Sequence, residues 1–264
     1  MTNAEVRRLS ELRSVLEGFA ASHAARNAAS SPGALKRMRS TLTRLIKAVR
    51  ARDYPGFRQA DLELHQTIVC LANIPTLEAA WRAVWESLLT LHKHGFDNYF
   101  PDSGTMAEEH EYLVETIAFG DPAAAEDAAR THVEAVWLRL AEETRSNSDA
   151  ESSPLKRATV HLVFRLHCPL TLTHVATKIA FTSPGHLSRL FRRHHGISFQ
   201  GYLQRLRMEK AAELLRSTRL PVSRIAKRVG YHDASRFSGH FKRIFDAAPI
   251  AYRKAVAQKS LVAT

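Results

Sequence analysis

The chain's 264 residues, 45% of them apolar, suit two ordinary domains that each bury their own core, and they exclude a disordered chain. No apolar run approaches the roughly 20 residues of a membrane helix, and Met1–Arg8 carries no secretion signal, so a soluble, cytoplasmic protein is expected. The net charge of +12 divides unevenly: residues 151–264 hold 21 Lys and Arg against 5 Asp and Glu, net +16, and residues 1–150 hold 17 against 21, net −4.

Residues 5–25 place Leu9, Leu12, Leu16, Phe19 and His23 at three- and four-residue spacing, one stripe of an amphipathic helix. Ser31-Pro32-Gly33 breaks it, and Leu35, Met38, Leu42, Leu45 and Val49 mark a second helix. Asp53 to Gly56 punctuates the chain before a third helix to about Leu71. Its Cys70, in the apolar run Ile68-Val69-Cys70-Leu71, reads as a buried thiol, and with Cys168 isolated in the other half no disulfide framework or Cys-based zinc site is available. A fourth helix, Leu77 to about His92, carries Trp81, Val84, Trp85 and Leu88, and His92 and His94 at its end read as surface residues. A loop with Gly95, Pro101 and Gly104 leads to a fifth helix near Met106–Ala118. Gly120-Asp121-Pro122 is a stop, an N-cap and a proline at the first helical position, starting a sixth helix to about Glu143. No strand pattern occurs anywhere, so the chain is expected to be all-α, opening with an antiparallel helical bundle over residues 1–145.

Three of these helices put metal-ligand side chains on faces that should be buried. Asp61 and His65, one turn apart, share a face with Phe57, Leu64 and Ile68. His110 lies on the stripe of Met106, Leu113, Val114 and Ile117, and His132 lies with Ala125, Ala128, Ala129 and Val136. Any one such histidine is more simply a core residue bonded to a carbonyl. Together, one carboxylate and three imidazoles make an N/O ligand set suited to divalent zinc, nickel, manganese or iron, with room for an exogenous ligand. Left unpaired in a core, each polar group would cost about 1 to 3 kcal/mol. Arg13 either clamps an effector carboxylate bidentately or makes an exposed salt bridge.

This pattern resembles the FCD domain, the helical effector-binding domain of the FadR subgroup of GntR regulators. The resemblance runs through Leu12-Arg13, Leu16-Glu17, Asp61, His65, Asn73, Glu109-His110, Gly120-Asp121, Ala128 and His132, over about residues 5–143. It implies that Asp61, His65, His110 and His132 bind one divalent metal ion, that a small carboxylate effector completes the coordination, and that the protein is a homodimer. No winged helix is expected before the domain here, and residues 146–264 follow it instead. The family's coupling of ligand to DNA therefore does not carry over.

Residues 146–154 lie in a stretch with almost nothing apolar, expected to be a flexible linker and the domain boundary. A helix from about Leu155 to Leu166 follows. Over residues 172–253 the chain repeats itself: Val175-Ala176, Ile179-Ala180-Phe181, Leu187 and Phe191 are matched, each fifty residues on, by Ile225-Ala226, Val229-Gly230-Tyr231, Phe237 and Phe241. Each copy reads as a short helix (Val175–Ala180, Ile225–Gly230), a tight turn at an aromatic residue, and a second helix starting near Ser183 or Asp233. Two helix-turn-helix units follow. A helix from Ser198 to about Ser217 joins them, and its roughly eighteen residues span about 27 Å, enough to hold two reading helices near the spacing of successive major grooves. His186, Ser188, Arg189, Arg192, Ser235, Arg236 and Gly239 should face DNA, with Arg189 the best placed for a guanine. Arg192 and Arg193 recur as Lys242 and Arg243, and the first pair should act through phosphates.

The C-terminal stretch resembles the DNA-binding domain of the AraC/XylS family of bacterial transcription regulators. The residues concerned are Leu187-Ser188-Arg189-Leu190-Phe191, Gly196-Ile197-Ser198-Phe199, Arg207-Met208-Glu209-Lys210-Ala211, Leu214-Leu215, Ile225-Ala226, Gly230-Tyr231, Phe237-Ser238, Phe241-Lys242, Pro249 and Tyr252-Arg253. Asp246 departs from the pattern, standing where the family commonly has Gly after the last reading helix. The resemblance implies a domain over residues 155–258 that binds a double-stranded DNA operator. A basic half on a mildly acidic half agrees with it, the alternative being a merely solvated basic surface.

The expected function is therefore a bacterial DNA-binding transcription regulator, not an enzyme, that senses a small carboxylic acid at a divalent metal and controls operator binding. Two other classes compete. A metal-dependent hydrolase fused to a DNA-binding module would use metal-bound water as nucleophile, but no dedicated general base stands beside the ligands. A nonspecific nucleic-acid-binding protein would bind selected and random DNA alike.

Overall fold

The computed structural model describes residues 3–89, 103–145 and 154–262, and all regular structure among them is helical. His92, His94, the loop around Gly95 and Pro101, and residues 146–153 of the expected linker lie outside the described residues. The chain divides into two compact units, Met1–Arg145 and Ser146–Thr264.

The first unit contains α1 (Asn3–Asn27), a 3-10 turn (Ala28–Ser30), α2 (Pro32–Ala51), α3 (Tyr54–Leu71), α4 (Leu77–Ser87), α5 (Ser103–Phe119) and α6 (Pro122–Arg145). Side-chain caps fix where the helices begin. Asp53 accepts the Gly56 N–H at 3.1 Å, which places Pro55 and Gly56 inside the first turn of α3. Asp121 accepts the N–H groups of Ala123 and Ala124, both at 3.2 Å, and Gly120, at φ +74, ends α5 just before it. Gly104, expected in a loop, falls in the first turn of α5.

α1 corrects the sequence reading. Its Leu12 and Phe19 are each 46% exposed, and the buried face instead carries Arg13, Glu17, Ala20, Ala21 and Ala24, continued by Ala28 of the 3-10 turn. Alanines there, and Ala124, Ala125, Ala128 and Ala129 buried on α6, let the two helices pack closely along their length. Cys70 is also corrected: it is exposed, because Ile68, Val69 and Leu71 take the inward positions at the end of α3.

The second unit contains α7 (Pro154–Phe164), α8 (Leu172–His174) continuing into a π turn (Val175–Ile179), α9 (Pro184–His195), α10 (Phe199–Ser217), α11 (Val222–Arg228), α12 (Ala234–Phe245) and α13 (Pro249–Val262). The first helix of each repeat thus begins three residues earlier than its apolar pattern suggested. In the first copy the Ala180 N–H reaches back to the Val175 carbonyl at 2.8 Å, and Phe181 takes the left-handed conformation at φ +50. The second copy places that conformation one repeat position earlier, on Gly230 at φ +80. Beyond these turns the copies agree again: Phe191 packs on Tyr202 with centroids 5.2 Å apart, and Phe241 on Tyr252 at 5.3 Å. Arg207 of α10 donates to the Leu166 and Cys168 carbonyls, both at 2.8 Å, and lies 5.8 Å from the Tyr231 ring.

Candidate metal centre and nucleic-acid interface

In the first unit, α3, α5 and α6 bring His65, His110 and His132 together. All three are buried, and one ring nitrogen of each lies within 4.8 Å of the others. Asp61, one turn before His65, puts Oδ1 2.8 Å from His110 Nε2 and 3.5 Å from His65 Nε2.

The protons of this cluster do not satisfy it internally. His110 Nδ1 lies 2.7 Å from the Met106 carbonyl oxygen, which can only accept, so that nitrogen carries the proton. His65 Nε2 and His132 Nδ1 are buried with no hydrogen-bond partner among the described residues. Burial and the neighbouring His110 charge push the His132 pKa down to about 4, against the pull of Glu109, whose Oε2 is 3.7 Å away. A neutral imidazole with an unused nitrogen is the form a metal binds. A divalent cation between the three rings and Asp61 fits this donor set, and it would give His65 Nε2 a partner once the proton that His65 holds up to about pH 9 has left.

Sequence reasoning missed Glu17, which ties α1 to the cluster. Its Oε2 approaches His65 Nδ1 at 2.7 Å, an ion-pair distance off the hydrogen-bond axis. Its Oε1 accepts from Arg13 Nε at 2.6 Å and from Trp81 Nε1 at 3.0 Å. Burial alone would raise the Glu17 pKa, but Arg13 and His65 hold it well below the usual carboxylate range. The same geometry acts on His65. Burial would lower its pKa, yet the Glu17 and Asp61 carboxylates push it up to about 9. Arg13 is no exposed salt bridge: it is 7% exposed, and its guanidinium lies 4.4 Å over the Trp85 ring.

In the second unit the reading helices are capped where they begin. Ser183 accepts the His186 N–H at 3.2 Å, and Asp233 accepts those of Ser235 and Arg236 at 2.7 and 3.1 Å. Each helix turns two residues into the core, Leu187 and Phe191 on α9 and Phe237 and Phe241 on α12. The opposite faces expose His186, Arg189, Arg192 and Arg193, and Ser235, Arg236, Gly239, Lys242 and Arg243, while Ser188 is half-buried.

Residues 8–135 match the FCD domain, and residues 176–255 match a helix-turn-helix domain. Regulatory protein PocR of Salmonella typhimurium is 30% identical over 120 residues, 46% of this chain and 39% of that protein. The transcriptional activator RhaR of Mannheimia succiniciproducens is 39% identical over 71 residues, 27% of this chain and 26% of that protein. The chain carries an FCD domain followed by an AraC-type helix-turn-helix domain. The solved C-terminal domain of the response regulator AraT from Geobacillus stearothermophilus is 41% identical, covering 40% of this chain and 88% of that one, with a TM-score of 0.38. The chain spans less than half the length of the curated relatives it matches. Those relatives are a regulatory protein and a transcriptional activator of helix-turn-helix type. The histidine cluster lies wholly inside the FCD match, and both reading helices lie inside the helix-turn-helix match. Among the described residues no helix is long and apolar enough to cross a membrane.

Proposed function

We infer that the protein is a DNA-binding transcription regulator. In this reading the FCD domain holds one divalent metal ion through Asp61, His65, His110 and His132, and a small carboxylate effector completes its coordination. The AraC-type domain binds a double-stranded operator, and the effector controls that binding. A homodimer follows from the FCD resemblance, and a cytoplasmic location goes with the role.

The observation that carries the sensor reading is the cluster of three buried imidazoles with one ring nitrogen of each within 4.8 Å of the others, His65 Nε2 and His132 Nδ1 having no hydrogen-bond partner among the described residues. The metal, when bound, supplies a Lewis-acidic site for the effector's carboxylate. Around it, Glu17 sets the His65 ring from Nδ1, and the Met106 carbonyl orients His110 by accepting its Nδ1 proton. Arg13 already pairs with Glu17, so an acid that reached it would have to compete with that carboxylate. The DNA-binding reading rests on two capped helices with cationic outer faces in a region of net charge +16.

The test is elemental analysis of the gently purified full chain, with calorimetric titration of small carboxylic acids into wild type and His110→Ala. One divalent ion per chain is expected. His110→Ala should lose the ion, lose acid binding and melt at a lower temperature. If wild type carries no metal, and His110→Ala neither melts lower nor changes acid binding, these histidines are core residues and the sensor reading fails.

A further inference from the structure

The centre of the exposed face of α12 has no side chain. Phe237 and Phe241 point into the core, and Gly239, midway between them, occupies the opposite side of the helix. Ser235, Arg236, Lys242 and Arg243, one turn to either side, are exposed around it. Glycine inside a helix is destabilising relative to alanine, because it surrenders more backbone freedom on folding.

Nothing among the described residues demands that glycine. Its backbone is not left-handed, since the positive-φ glycines are Gly120, Gly196 and Gly230. It lies in the middle of Ala234–Phe245, away from both caps. A Cβ built on it meets nothing within 4 Å, whereas one on Gly230 would come 2.6 Å from the Leu166 carbonyl oxygen. Fifty residues earlier, the same place on α9 is filled by exposed Arg189. The repeat thus has a long cationic side chain at the centre of one reading helix and a bare backbone ringed by cations at the centre of the other.

We propose that the two reading helices divide their work: α9 reads base edges through Arg189, whereas α12 lays its backbone at Gly239 directly against the duplex, clamped by Arg236, Lys242 and Arg243 on phosphates. This rests on the DNA-binding reading above. Double-stranded DNA is the occupant because the notch is surrounded by positive charge and faces outward from a helix of groove-reading type. A helix that closes in this way adds affinity on every sequence and little discrimination between bases.

The experiment takes the full chain through selection of binding sites from a randomised duplex library. Arg189→Ala and Gly239→Ala are then titrated on the selected duplex and on random-sequence duplex. One sharply defined block of sequence is expected, and Arg189→Ala should blur it. Gly239→Ala should raise the melting temperature by about 2 to 5 °C. It should nevertheless bind both duplexes about fivefold or more weakly, because the added methyl stands in the contact. A purely structural glycine gives the opposite pattern, and a Gly239→Ala variant that melts higher with unchanged or tighter DNA binding overturns the proposal. So do two equally sharp blocks, one of which survives Arg189→Ala. If wild type binds no duplex at all, the DNA-binding reading itself is removed and this division of work goes with it.

Discussion

Glu17 shows how a single carboxylate sets the proton inventory of the buried cluster. With Asp61 it keeps His65 protonated up to about pH 9 in the metal-free protein, above the ordinary 6.5. A pKa raised by folding adds stability that is complete below about pH 6.5 and is lost as the pH rises through 9. A metal ion must displace that proton, so metal affinity should climb across the same window and level off above it. Glu17→Gln should move the window to lower pH and, above pH 9, weaken the metal by about 10- to 100-fold, since the ring loses its orienting carboxylate. Competition titrations between pH 6 and 9.5 check both points, and a wild-type affinity that is flat across this range would sink the argument. The metal-type residues were legible because a histidine on an apolar stripe is conspicuous. Glu17 was not, because beside Arg13 it resembles an ordinary exposed pair at i and i+4. The available signal was the small-residue face it shares, since Arg13, Glu17, Ala21, Ala24 and Ala28 recur every three or four residues.

At the scale of elements, helix starts were legible wherever a cap stands in the sequence, as Asp53, Asp121, Ser183 and Asp233 do. The orientation of α1 was not. Apolar periodicity cannot tell a core-facing stripe from an outward one when the true inner face is alanine and a buried ion pair. The π turn of the first repeat was hidden too, because it leaves the apolar positions in register and moves only the left-handed residue, from Gly230 in one copy to Phe181 in the other. The turns after the reading helices give a test with opposite signs. Asp246 ends α12 at φ +53, where the first repeat has Gly196 at φ +70. Asp246→Gly should stabilise by about 0.5 to 1 kcal/mol by relieving the left-handed strain, and it removes a negative charge from a helix C-terminus. Gly230→Ala should destabilise by about 2 kcal/mol or more, because its φ of +80 and the Leu166 carbonyl 2.6 Å from the new Cβ both oppose it. Thermal melts of the two variants check the pair. A lowered melting temperature for Asp246→Gly would mean that the aspartate's own contacts outweigh its backbone cost.

On the scale of the whole molecule, the division of charge and the division of packing fall together. Net charge is +16 over residues 151–264, and the second compact unit is Ser146–Thr264, with a core built around Leu162, Leu187, Phe191 and Phe199. The buried cluster and its ion pair belong to the other unit, which has its own core around Leu45, Leu64, Leu113 and Ile117. A fragment beginning near Leu155 should therefore fold alone and bind duplex DNA, with a log–log salt slope of about −0.9 for each phosphate neutralised. Ligand linkage acts only on the unit that holds the ligand: a metal present at about a thousand times its Kd adds roughly 4 kcal/mol to that unit and nothing to the other. A chelator should accordingly lower one calorimetric transition of the full chain and weaken acid binding, while the fragment's melting and its DNA affinity stay as they were. Scanning calorimetry with and without chelator, together with DNA titrations from 50 to 200 mM salt, reads all three quantities. A fragment that fails to fold, or whose DNA binding is flat with salt, would show that the basic unit is not an autonomous phosphate-binding domain. A fragment whose melting falls with chelator would place a metal site in the second unit, away from His65, His110 and His132.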